Sequence, residues 1–283
     1  MNQTSPPPAS ASPNPTSSVT PGWWTSFLTA VQFLTRVPVT GAMSGTAEFY
    51  FAALRRGVVF FPLVGGLVGL TTASVACGLS LVTSSMVAAM VALAFEATLT
   101  GAFHEDAFAD TWDALGGGWN RDQVLEIMKD SRLGTYGTIA LVLGVGVRAV
   151  SIATIIDVHG IWIAAAAITA AATLARGFIV AMMATTQPID HPGSQAKDVS
   201  GTQTVTVVIV SLVLSGWLWC PWLLWQPLQA CVGVVAAVLV TVWFRRKIMR
   251  RVGGTTGDLL GCTAYLVQLT LLIAATVSTE MSS

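Results

Sequence analysis

Charge is what this 283-residue chain lacks: only 10% of its residues are Asp, Glu, Lys or Arg, against about 25% in an ordinary soluble domain. So few charges cannot cover a water-facing surface. Hydrophobic residues make up 53% of the chain, the mean hydropathy is +0.69, and the apolar residues come in long blocks that a soluble core does not need. There is no excess of either sign either. Lys plus Arg and Asp plus Glu number 14 each, so no bulk electrostatic pull toward nucleic acid is expected. Cysteine is also scarce. Cys77, Cys220, Cys231 and Cys262 sit singly in apolar stretches, without the Cys-x-x-Cys spacing of a zinc or redox site, and read as small buried apolar residues.

What is present divides into a tail and one membrane domain. Residues 1–22 are rich in Pro, Ser and Thr and carry no charged side chain, the composition of a disordered segment. They lack the basic start and apolar run of a signal peptide. Residues 23–283 read as a single all-α, polytopic membrane-embedded domain. Its first piece, Trp23 to Pro38, is amphipathic, with Trp at one end and Arg36 near the other. It is too short to span and fits an interfacial or re-entrant helix. About seven apolar blocks near span length follow: Val58–Val82, Ser85–Phe103, Tyr136–Ile156, Gly160–Ala184, Thr204–Trp225, Leu228–Phe244 and Leu259–Val277. Gly65, Gly66 and Gly69 lie toward one face of the first block and suit a close helix–helix contact.

The basic residues alternate with the blocks. Arg55 and Arg56 precede the first; Arg121, Lys129 and Arg132 follow the second; Lys197 follows the fourth; Arg245, Arg246, Lys247, Arg250 and Arg251 follow the sixth. The connections around Thr83, His159 and Gln226–Pro227 hold no Lys or Arg. The positive-inside rule puts the basic connections in the cytoplasm, so a bacterial cytoplasmic (inner) membrane is the expected location.

Half of the acidic residues crowd into one of these connections: Glu105, Asp106, Asp110, Asp113, Asp122, Glu126 and Asp130. Asp106, Asp110 and Asp113 are spaced i, i+4, i+7 and project from one helix face within an arc of about 60°. Clustered carboxylates raise each other's pKa unless a cation sits among them, and hard oxygen ligands suit Mg²⁺ or Mn²⁺. Such an ion bridges a diphosphate and neutralises charge during displacement. The alternative is a solvated acidic face. Nearby, Arg132 beside Gly134 suits phosphate oxygens, or Lys129 and Arg132 are topology anchors. His104 is a proton-transfer candidate or a partner of one. On the same side, Gly253-Gly254-Thr255-Thr256-Gly257-Asp258 offers backbone N–H groups to an anion and one more carboxylate, or is a plain turn. Three ionisable residues fall within spans. Arg176 lies within reach of a phosphate, while Glu96 and Arg148 either pair with each other or serve a transport path.

Ordered motifs then show a family likeness. Phe33-Leu34-Thr35-Arg36-Val37-Pro38, Arg55-Arg56-Gly57-Val58-Val59-Phe60-Phe61-Pro62-Leu63-Val64-Gly65, His104-Glu105-Asp106 with Ala109-Asp110-Thr111 and Asp113, Leu125 through Thr135, and Gly253 through Asp258 resemble the cobalamin synthase family, the adenosylcobinamide-GDP ribazoletransferases. The family usually has Gly where this chain has Ala107, and Leu where it has Phe108. The resemblance implies transfer of the adenosylcobinamide phosphate group from adenosylcobinamide-GDP to α-ribazole or its 5′-phosphate, with release of GMP and Mg²⁺ as cofactor. It implies catalytic roles for His104, Asp106, Asp110, Asp113, Asp130 and Arg132, with Asp106, Asp110, Asp113 and Asp130 on the metal. Arg36, Arg56, Lys129, Arg176, Gly254, Thr255, Thr256, Gly257 and Asp258 would bind substrate. Association with other enzymes of cobalamin synthesis would fit. The acidic motif is also similar in logic to that of CDP-alcohol phosphotransferases, the competing enzyme class. A transporter is disfavoured by the lack of repeated halves.

Overall fold

The computed structural model describes residues 20–39, 46–189 and 203–278. Most of the tail and Lys197 therefore lie outside the described residues. Helices α1 (Trp23–Leu34) and α2 (Ala47–Gly57) lead through a short 3-10 turn (Val58–Phe60) into α3 (Phe61–Ser80) and α4 (Ser85–Thr100). Then come α5 (Phe103–Gly117), α6 (Arg121–Ile127), α7 (Thr135–Thr185), α8 (Val205–Leu214), α9 (Gly216–Trp225), α10 (Pro227–Arg251) and α11 (Gly257–Ala275). Among the described residues the only β-pairing is one isolated bridge, Pro188 to Thr255. The fold is an all-α polytopic one.

Four helical stretches are long and apolar enough to cross a membrane, or six when each of two sharply bent pairs counts as a span. α7 has 51 residues but is two helices, because Gly160 has φ +81° and ψ 168°, a conformation that glycine adopts at little cost. Its halves, 135–159 and 161–185, each exceed the roughly 20 residues a crossing needs, so counting them separately brings the total to the expected seven. The expected fifth span is not one straight helix. It breaks into α8 and α9, bent by 71°, where Ser215 leaves helical geometry beside Gly216. Ser–Gly pairs are recurrent kink sites, and Pro221 inside α9 removes a further backbone bond.

Apolar lipid gives helices no hydrophobic reason to associate, so close van der Waals packing does the work. The small face of α3 shows this: a Cβ added at Gly69 would stand 2.6 Å from the Ala172 methyl on the second half of α7. Side-chain and backbone bonds then sort the connections by end. Gln203 Nε2 donates to the Arg55 carbonyl, Arg121 Nε to Val252, Arg245 to Thr185 and Arg36 N to Leu99. The basic connections thus meet at one end. At the other, the Ser85 hydroxyl meets Asp157, Cys77 Sγ meets the Ile161 carbonyl and Gln229 meets Val277.

α1 sits at the basic end. Gly57 of α2 admits it closely, since a Cβ there would collide with the Ser26 carbonyl. Trp23 and Trp24 stay exposed, as an interfacial helix requires.

Candidate active site at the membrane boundary

The site is built where α4 gives way to α5. Gly101 (φ 71°) and Ala102 (φ 55°) are both left-handed. Ala102 is the one non-glycine residue in that region among the described residues, a conformation that costs energy and is kept only where the surroundings enforce it. The two turn the chain by 90°, and a helix that carries Glu105, Asp106, Asp110 and Asp113 is expected to leave the hydrocarbon at such a bend, because carboxylates are costly in lipid. Arg36 braces the bend: its backbone N–H bonds the Leu99 carbonyl at 2.7 Å, and its guanidinium occupies the space a Gly101 side chain would need.

α5 crosses the start of α11 at close range. A Cβ at Gly261 would lie 2.6 Å from that of Ala107, and the Thr111 hydroxyl reaches the Asp258 carbonyl at 3.4 Å. The methyl of Ala107, where the resemblance led us to expect glycine, is therefore accommodated by a glycine on the partner helix. Gly261→Ala is expected to cost about 1–3 kcal/mol by overpacking. Ala107→Gly in the same chain should recover most of that, as thermal unfolding of the four proteins of the cycle in detergent would show.

This crossing places Asp258 with Asp106 and Asp110. Burial first, and then the charges of Asp106, Asp258 and Asp113, push Asp110 up to about 7. None of Asp106, Asp110 and Asp258 has an ion-pair partner among the described residues. Asp113 stands apart, because its carboxylate accepts the backbone N–H groups of Gly134 and Gly137 at 2.7 and 2.8 Å. Asp130 is also engaged elsewhere. It forms a forked pair with Arg132, whose hydrogen bonds hold it down to about 2. The Arg132 side chain is 87% exposed and Lys129 is exposed beside it. The expected four-carboxylate set is thus not assembled: among the described residues no three acidic, His or Cys groups converge on one ion. Mg²⁺ does not require such a cage. It is usually held by one or two carboxylates with substrate phosphates and water completing the shell, and Asp110 with one of Asp106 and Asp258, none of them ion-paired among the described residues, fits that donor set.

Behind the carboxylates lies a buried polar network that the sequence showed only in part. Arg148 bonds Glu96 and Glu105, each at 2.8 Å, and stacks its guanidinium over Tyr265, which in turn stacks on Phe108 of α5. Arg176 bonds Gln268 at 3.0 Å and meets His104 Nδ1 at 3.3 Å. All these charged groups and His104 are buried. The pairing of Glu96 with Arg148 was open to the sequence; Glu105 was missed. It neighbours Asp106 but points about 100° further round the helix, toward α7, and the acid-rich spacing gave no sign of that.

The Gly253–Asp258 loop is mostly committed to structure. Gly254 packs against residues 187–189. Thr255 N bonds the Gln187 carbonyl at 3.0 Å and its carbonyl accepts from Ile189 N at 2.9 Å. Thr256 caps α11 through Leu259 N and donates to the Met128 sulfur. Of this loop's candidate substrate residues, Gly257 is exposed and Asp258 half-buried. Arg56 faces the other way. It lies 3.8 Å over the Trp23 ring and bonds the Pro21 carbonyl.

Comparison with known proteins identifies the family of the chain. The sequence profile of the cobalamin-5-phosphate synthase family matches residues 26–276. An adenosylcobinamide-GDP ribazoletransferase of Rhizobium etli is 41% identical over 253 residues, covering 87% of this chain and 94% of the relative. Proteins of the same name from Sinorhizobium sp, 36% identical over 86% of this chain and 92% of the relative, and from Shewanella amazonensis, 33% identical over 87% and 93%, align equally fully. No solved structure matches. The matched region spans α1 to α11 and takes in both the acidic helix and the loop that ends in Asp258, and the chain belongs to the cobalamin-5-phosphate synthase family.

Proposed function

We propose that this chain is an adenosylcobinamide-GDP ribazoletransferase: it joins adenosylcobinamide phosphate to α-ribazole or α-ribazole 5′-phosphate and releases GMP, at the close of cobalamin synthesis. The observation that carries this reading is the family match across the whole helical domain, with the unpaired carboxylates of α5 and α11 at its basic end.

The acceptor hydroxyl oxygen attacks the phosphorus attached to cobinamide, and the bond from that phosphorus to the GMP oxygen breaks. Asp110 with one of Asp106 and Asp258 would hold Mg²⁺, which when bound neutralises charge on the diphosphate. Among these residues a carboxylate, rather than His104, takes the hydroxyl proton, because His104 is buried against Arg176 and is better placed to fix that guanidinium. Arg132 is the cation best exposed for the transferred phosphate. Its present partner is Asp130, and exposed ion pairs are weak enough to exchange. The Arg36 brace holds the bend from which α5 starts. Basic connections at the same end as the carboxylates support a site that faces the cytoplasm from a bacterial inner membrane.

Mass spectrometry of the products tests the reaction directly. Purified protein given adenosylcobinamide-GDP and either acceptor should yield GMP together with adenosylcobalamin or its 5′-phosphate. Release of CMP from a CDP-alcohol, with no cobalamin formed, would replace this reading.

A further inference from the structure

We infer that Asp113 is a positioning residue, which fastens the loop bearing Lys129, Asp130 and Arg132 to the acidic helix, and is not a further ligand of the cation. The inference rests on the phosphoryl-transfer reading only for what that loop does.

Asp106, Asp110 and Asp113 share a helix face by spacing, yet the fold gives Asp113 a different surrounding. It is 8% exposed, whereas Asp106 is exposed and Asp110 half-buried. Both its oxygens are already used: Oδ2 accepts from Gly134 N and Oδ1 from Gly137 N. Those amides open α7, where backbone N–H groups lack helical partners and the dipole favours an anion. The approach depends on what is missing on the other side, since a Cβ at Gly134 or at Gly137 would collide with the carboxylate.

The consequence is a loop tied at both ends. Met128, just before Lys129, receives the Thr256 hydroxyl at 3.2 Å. Gly134, two residues after Arg132, is held by Asp113. Between the ties, residues 129–133 carry the exposed Arg132–Asp130 pair. Thr256 belongs to the turn that presents Asp258, and Asp113 to the helix that presents Asp110. The two ties therefore register the loop against both carboxylate-bearing elements.

The test compares full-length Asp113→Ala, Gly137→Ala and Asp110→Asn proteins, purified in detergent. Hydrogen exchange of residues 129–138, Mn²⁺ binding without substrate, and steady-state GMP release are the readouts. Asp113→Ala should raise exchange across 129–138, leave Mn²⁺ binding unchanged and lower kcat by about 10²-fold through misplacement of the loop. Gly137→Ala keeps every acid but displaces the carboxylate, so it should raise the same exchange and serves if Asp113→Ala does not fold. Asp110→Asn should do the reverse, losing Mn²⁺ while exchange at 129–138 stays as in the parent. Unchanged exchange in both Asp113→Ala and Gly137→Ala, or loss of Mn²⁺ in Asp113→Ala, overturns the positioning role. Absence of Mn²⁺ binding even in the parent would count against the metal reading, and the exchange data would still decide the role of Asp113.

Discussion

Asp110→Asn is expected to lower GMP release by about 10³-fold, the size of loss seen when one preorganised charge-stabilising group is removed, and to stabilise the metal-free protein at pH 8. The two effects share one cause. Burial and the neighbouring Asp106, Asp258 and Asp113 push Asp110 up to about 7, whereas in the unfolded chain an Asp titrates near pH 3.9. Between about pH 4 and 7 the folded state therefore holds a proton that the unfolded state has lost, and stability falls as pH rises through that window. Asparagine has no charge to suppress. At this half-exposed site the gain at pH 8, discounted for solvent screening, is on the order of 1 kcal/mol. It shows as an unfolding midpoint higher by about 2–4 °C. Added Mg²⁺ should narrow the difference, because it stabilises only the protein that binds it. A variant that unfolds at the parent's temperature in metal-free buffer at pH 8, or that keeps its activity, would contradict the assignment of Asp110.

The second large effect lies behind the site. Arg148→Met removes the one guanidinium that bonds both Glu96 and Glu105 and leaves two buried carboxylates without it. Breaking one side of a buried ionic network typically costs about 3–5 kcal/mol. The triple variant Arg148→Met, Glu96→Gln, Glu105→Gln removes the charges together and should regain most of that stability, since a buried pair replaced by neutral groups is often close to neutral in energy. Thermal unfolding in detergent separates the cases. If the single variant were as stable as the parent, the network would not be what fixes α5 to α4 and α7.

Much of this was legible in the sequence. The spacing of basic residues between apolar blocks implied that four connections share one end, and the bonds of Arg36, Arg121, Gln203 and Arg245 bring those connections together. The acid-rich motif marked α5 because carboxylates are tolerated at a membrane boundary only for a reason. What stayed hidden depended on tertiary partners. Hydropathy reads Thr204–Trp225 as one span, and only the backbone at Ser215 shows the break. Helical periodicity puts Asp113 on the face of Asp106 and Asp110, but it cannot see the Gly134 and Gly137 amides that claim its carboxylate. Likewise Ala107 looked like an isolated departure until Gly261 stood opposite it. For Asp113 and Ala107 the local helix was legible, and a residue far along the chain decided the role.

The measurement that bears most directly on the account is Mg²⁺-dependent GMP release by the purified protein given adenosylcobinamide-GDP and α-ribazole, run beside Asp110→Asn. The account predicts GMP and cobalamin appearing together in the parent, only when Mg²⁺ is present, and almost none in the variant. Equal GMP release with and without Mg²⁺, or from parent and variant alike, would contradict it.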